Sequence, residues 1–100
     1  MKIHQTIEFS EWLTKQNQKI KRLITFRLEF ISDGHWGNFK RFDGLIEFRW
    51  TNGLRLYAFY YGDDVIIITI GGTKNGQKFD IKKAKKIKKE FDDGIRSLHF

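Results

Sequence analysis

The sequence predicts an α+β fold: an antiparallel β-sheet with an N-terminal helical hairpin and a C-terminal helix, in the order β-α-α-β-β-β-α. Three observations carry this. Apolar residues recur at helical spacing through the first third, at Ile20, Leu23, Ile24, Leu28 and Ile31. From Ile46 the period drops to two, with Asn52-Gly53 and Gly62-Asp63-Asp64 as reversals. Helical spacing then returns at Ile81, Ala84, Ile87 and Phe91.

Taken in order, Ile3 to Gln5 reads as a short first strand. Thr6 is suited to cap the next helix, with Glu8 in its first turn, where negative charge favours the helix dipole. Phe9, Trp12 and Leu13 share one face of that helix, and the apolar period lapses at Gln16-Asn17-Gln18. The second helix stops at Asp33-Gly34. Phe39 to Phe42 is a further candidate strand. Ile46, Phe48 and Trp50 alternate with Glu47, Arg49 and Thr51, and Asn52-Gly53 predicts a type I′ hairpin turn into Leu54–Tyr61. Val65 to Ile70 is a continuous apolar and β-branched run, expected of a central strand buried on both faces. Gly71 to Gly76 reads as a loop before the last helix, and the helices are expected on one side of the sheet.

Composition bounds the function classes. One hundred residues suit one domain (1–100), of which 94–100 are unassigned and a candidate flexible tail. With 40% hydrophobic residues and 16% aromatics, the chain has enough apolar material for a core without disulfides or metals. It has no cysteine, which excludes a disulfide framework, a thiolate metal site and a thiol nucleophile. No run approaches the roughly 20 apolar residues of a membrane span, and Met1-Lys2-Ile3-His4-Gln5 lacks the apolar core of a signal peptide. The expectation is a cytoplasmic protein. Nineteen Lys and Arg against twelve Asp and Glu give a formal charge of +7, which favours polyanions or an acidic protein as partners.

Six short segments carry a family resemblance. Phe9-Ser10-Glu11-Trp12-Leu13 is similar to F-x-x-W-L, and Gly37-Asn38-Phe39 to G-N-F. Glu47-Phe48-Arg49 resembles E-L-R, and Gly53-Leu54-Arg55-Leu56-Tyr57 resembles G-Y-R-V-Y. Gly71 to Gln77 resembles G-G-D-K-S-T-Q, and Asp80-Ile81-Lys82-Lys83-Ala84 resembles D-I-x-x-A. In register from about Ile3 to Phe91, these resemble the phage-derived "addiction module killer protein" branch of the RelE-like toxin superfamily. Leu54 replaces the usual Tyr, Thr73 the usual Asp, and Asn75-Gly76 the usual Ser-Thr.

The resemblance implies the toxin of a type II toxin–antitoxin pair: an endoribonuclease acting on mRNA, with the ribosome as a further partner, and silenced by a small cognate antitoxin. It implies no metal and no small-molecule cofactor. A ribonuclease of this kind positions a 2′-hydroxyl against the phosphate, removes its proton and stabilises charge on the phosphorane. Arginine suits the last task, because its planar fork matches phosphate oxygens. By alternation Glu47 and Arg49 share one strand face, and Arg55 and Tyr57 share a face of the next. Arg49 and Arg55 are assigned to phosphate, and Lys74 to a second phosphate contact or a proton donor. Tyr57, Glu47, Gln77 and Lys78 are assigned to the substrate side. The general base stays open between Lys74 and Glu47.

Each assignment has a structural alternative. A Glu-Arg-Arg group across a hairpin is also what an ion-pair ladder looks like. Gln77 and Asp80 suit a helix start, and the lysines of the last helix suit a solvated face as well as RNA. His4, His35 and His99 are too scattered for a zinc site or a histidine-based triad. Two other functions stay open: a non-enzymatic binder, either a gyrase poison or an inactive toxin homologue, and a plain basic RNA-binding protein.

Overall fold

The computed structural model describes residues 1–98. Strand β1 (Lys2–Gln5) leads into helices α1 (Ile7–Thr14) and α2 (Gln18–Ser32). Strands β2 (Phe39–Phe42), β3 (Leu45–Arg49), β4 (Leu54–Tyr61) and β5 (Val65–Thr73) come next. A single 3₁₀ turn, Lys74–Gly76, then opens α3 (Gln77–Asp92). Both early helices start on side-chain caps: Thr6 Oγ1 accepts from Phe9 N at 3.0 Å, and Asn17 Oδ1 from Ile20 N at 2.9 Å. The lapse at residues 16–18 is therefore the second cap. No helix among the described residues is long and apolar enough to cross a membrane.

The strands form one sheet in the order β1-β5-β4-β3-β2. Three pairings are antiparallel, but β1 runs parallel to β5, so the sheet is mixed rather than purely antiparallel. The helices do not share one side, contrary to the expectation from sequence. Phe9, Ile24 and Ile31 from the hairpin pack on Ile46, Phe48, Leu56, Ala58, Ile66 and Ile68. Ala84, Ile87 and Phe91 of α3 pack on the opposite set, Leu45, Tyr57, Phe59, Val65, Ile67 and Ile70. The reason lies in the strands: β3, β4 and β5 are buried on both faces, and a sheet apolar on both faces needs cover on each.

Two reversals differ from expectation. Asp43 and Gly44 both have positive φ (51° and 78°) and join β2 to β3 in the tight turn expected instead at Asn52-Gly53. The β3–β4 connection is longer: only Gly53 has positive φ, and Gly53 N donates to Trp50 O at 3.2 Å. Gly71 and Gly72 are not loop residues but belong to β5. Strand β5 also carries a bulge. Ala58 pairs with Ile68 and Tyr57 with Ile70, so Thr69 is the extra residue. Its hydroxyl donates to Tyr57 O and its carbonyl accepts from Thr6 Oγ1, both at 2.7 Å. The bulge reverses the facing of the rest of the strand and turns Ile70 and Gly72 toward α3.

After α3, two residues of the tail contact the rest of the fold. Arg96 bonds Glu8 and Glu90, and Leu98 packs on the α3-side core. The rest of the expected tail, His99 and Phe100, lies outside the described residues.

Candidate active site

The register of the central strands assembles the site. Arg49 lies opposite Arg55 and Glu47 opposite Tyr57. Arg55 in turn lies opposite Gly72, and Tyr57 opposite Ile70. Residues directly opposed project to the same face, so all four side chains meet on the α3 side. There Arg49 Nε donates to Glu47 Oε1 at 2.5 Å, and Gln77 Nε2 donates to Glu47 Oε2 at 2.7 Å. Gln77 therefore does not cap α3. The cap position is Gly76, and Gln77 reaches back to the sheet.

Glu47 has 0% side-chain exposure against 31% for Arg49. Burial pushes the Glu47 carboxyl up, but donation from Arg49 and Gln77 and the neighbouring Tyr57 hydroxyl outweigh it. The net result holds the group below the ordinary carboxylate range. Tyr57 is wholly buried, so it presents no ring face on which a base could stack. Its hydroxyl sits beside Glu47 without closing a hydrogen bond of ordinary geometry. Burial first, and then the Glu47 charge, drive its pKa well above the usual phenol value. Tyr57 is a neutral O–H at physiological pH.

Arg55 turns its Nη1 to the carbonyls of Trp50 (3.1 Å) and Leu54 (3.0 Å), leaving Nε buried without a hydrogen-bond partner. Lys74 is exposed on the 3₁₀ turn at the same end of the sheet, where its backbone N donates to Gly53 O at 2.8 Å. It lines a recess of about 310 Å³ with Thr51, Asn52, Gly53, Thr73 and Asn75. Lys78 is exposed farther along and lines a separate groove with Ile81, Lys82 and Lys85. The structure thus joins Glu47, Arg49 and Gln77 by hydrogen bonds, sets Arg55 and Tyr57 beside them, and leaves Lys74 and Lys78 at the rim. No group of three His, Cys, Asp or Glu side chains among the described residues is placed to hold a metal ion.

Sequence reasoning missed two contributors. Asp80, read as a helix-start residue, lies across Gly72: a Cβ there would fall 2.0 Å from Asp80 Oδ2. Burial raises its pKa, and its charge adds to the rise at Tyr57. Arg27 reaches from α2 to the carbonyls of Trp36 (2.9 Å), Arg49 (3.0 Å) and Asn38 (2.5 Å), with its guanidinium 4.6 Å from the Trp50 ring. It pins the end of β3 that carries Arg49. The available signal was Arg27 at helical spacing from Leu23 and Ile24 of the α2 stripe.

A family model described as "Phage derived protein Gp49-like (DUF891)" matches residues 11–92. The chain belongs to the Gp49-like family. A relative in Haemophilus influenzae, described there as an uncharacterized protein, is 33% identical over 94 residues. That match covers 90% of this chain and 95% of the relative. The matched segment of this Gp49-like chain contains every site residue named for the cleft. Its element order and mixed sheet have the RelE-like α+β topology.

Proposed function

We propose that this Gp49-like protein is the toxin of a type II toxin–antitoxin pair and acts as an endoribonuclease on mRNA. The observation that carries the reading is the cross-strand pair of Arg49 and Arg55 beside Lys74. Three cationic side chains stand at one end of the sheet, above a buried donor with no hydrogen-bond partner, Arg55 Nε. An unmet donor beside cations favours an anionic oxygen ligand. RelE-like topology and a phage-derived family support the same reading.

In this reading Arg55 leaves the Trp50 and Leu54 carbonyls to take phosphate oxygens, and Arg49, oriented by Glu47 and Gln77, donates its remaining N–H groups. Glu47 acts as a positioning residue, since both its oxygens are already engaged. Tyr57, wholly buried with its hydroxyl beside Glu47, supports that carboxylate rather than serving as a base. Lys74 contacts phosphate or protonates the leaving 5′-oxygen, and solvent water takes up the 2′-hydroxyl proton. Messenger RNA, with or without the ribosome, is the substrate, and a small antitoxin is the inhibitor.

One observation favours a second reading, a non-enzymatic binder. Arg49 is already neutralised by Glu47, and the Arg55 fork is partly occupied by backbone carbonyls. Expression in bacteria separates the two. A nuclease arrests growth with accumulation of cut mRNA, and Arg55→Ala or Lys74→Ala relieves the arrest by about tenfold or more, the scale of one lost charge-assisted contact. Intact mRNA alongside growth arrest would sink the nuclease reading.

A further inference from the structure

On the sheet face away from the cleft, aromatic side chains gather where the helical hairpin leaves the sheet uncovered. Trp36 contacts Phe39, Phe48 and Tyr60, with ring centroids 5.0, 5.6 and 5.6 Å apart. Phe39 and Tyr60 remain 41% and 40% exposed. Arg41 lies over the group, 5.1 Å from the Trp36 ring and 5.9 Å from Phe39 and Tyr60, and makes no ion pair among the described residues. Phe26 and Phe30, one turn apart on α2, are 62% and 55% exposed. Phe30 also neighbours Arg27, the residue that reaches toward this side. Tryptophan, tyrosine and arginine clustered in an exposed apolar patch have the composition of a protein-binding hot spot.

The patch borders a free strand. β2 is the sheet edge, paired on one side with β3, so its outer backbone groups can accept another strand. β2 reads Phe39-Lys40-Arg41-Phe42. Pairing it antiparallel with β2 of a second copy would set Lys40 of each chain against Arg41 of the other, and like charges directly opposite repel. An RNA strand could not use the edge amides and carbonyls in a ladder. The rings also meet edge-on or tilted, at 72° and 40° to Trp36, rather than forming parallel stacking platforms.

We infer that the β2 edge and the Trp36–Arg41 aromatic patch dock an extended acidic segment of another protein. The segment adds a strand to β2, sets carboxylates against Lys40 and Arg41, and lays an apolar side chain on Phe39, two positions along the same face as Arg41. This docking does not depend on the chemistry of the cleft.

A displayed library of random peptides, selected on the full chain, tests it. Enriched sequences should carry two adjacent acidic residues, to face Lys40 and Arg41, next to an apolar residue that faces Phe39. They should bind about tenfold or more weakly to Arg41→Glu and to Phe39→Ser, the loss of one hot-spot contact, and equally to Lys82→Ala. Amide exchange should slow at residues 39–42 when such a peptide is bound. Failure to enrich any peptide overturns the inference, as do peptides that bind Arg41→Glu undiminished. Protection confined to other strands, or displacement of the peptide by oligouridylate from the aromatic patch, would do the same. Circular dichroism of both variants separates lost docking from lost folding.

Discussion

The two faces of the sheet are made by the same strands and solve opposite problems. On the hairpin side the buried strand residues are apolar, and Phe9, Ile24 and Ile31 pack on them to exclude water. On the α3 side the same strands bury Glu47 and the Tyr57 hydroxyl beside Asp80, and α3 closes over them with Gln77. The first face supplies stability. The second carries charge at a cost in stability, concentrated at one end.

The contrast is open to direct test. Phe48→Ala, on the apolar face, should have the largest effect: a loss of about 3–5 kcal/mol in urea unfolding. Any cleavage activity should be unchanged per folded molecule. Glu47→Ala, on the polar face, should cost less, about 2 kcal/mol, because Arg49 is partly solvated and can turn to water. It should also loosen Arg49 and Gln77 together, visible as coupling in a Glu47/Gln77 double-mutant cycle. Gly72→Ala should cost about 1–3 kcal/mol, since its methyl meets the Asp80 carboxylate. Asp80→Gly in the same chain should recover most of that loss, and equal loss in single and double variants would reject the contact.

The smallest effect is in pH dependence, where two carboxylates of one face pull in opposite directions. The Glu47 pKa is depressed in the folded state, so its contribution is complete above its ordinary value of 4.5 and is lost as pH falls through the folded one. Asp80 is raised, so its ionisation destabilises the fold as pH climbs past its ordinary value of 3.8, and protonation relieves it. Asp80→Asn should therefore raise the Tm at neutral pH and lose that advantage in acid. Glu47→Gln should be weaker than wild type at neutral pH and converge with it in acid. Parallel curves for the two variants would show that these groups do not differ in environment.

Much of this was legible from residue order. Thr6 as a cap, the stripe of α2, the alternation around Glu47 and the stripe of α3 depend on near neighbours in the chain. The pairing of Glu47–Arg49 with Arg55–Tyr57 could be inferred from a short connection, even though the turn is built differently from the type I′ expected at Asn52-Gly53. The Asp43-Gly44 turn signal was available and would have made β2 a firm strand. Asp80 was not legible as a site residue, because its importance comes from lying over Gly72, eight positions away and across a change of element. The glycine pair looked like a loop for a related reason. In the fold Gly71 lets the Trp12 ring approach one face of β5, while Gly72 admits Asp80 on the other.

Periodicity and turn chemistry by themselves determined which segments are helix and which are strand, because those preferences act over a few bonds. Tertiary structure decided how the pieces face one another: β1 parallel beside β5, α3 on the side opposite the hairpin, and the Thr69 bulge that turns Gly72 toward Asp80. A strand apolar on both faces is silent about which helix covers which face. That choice is made when both sides must exclude water at once, and it is what puts Gln77 and Asp80 of α3 over the same sheet face as Arg49 and Arg55.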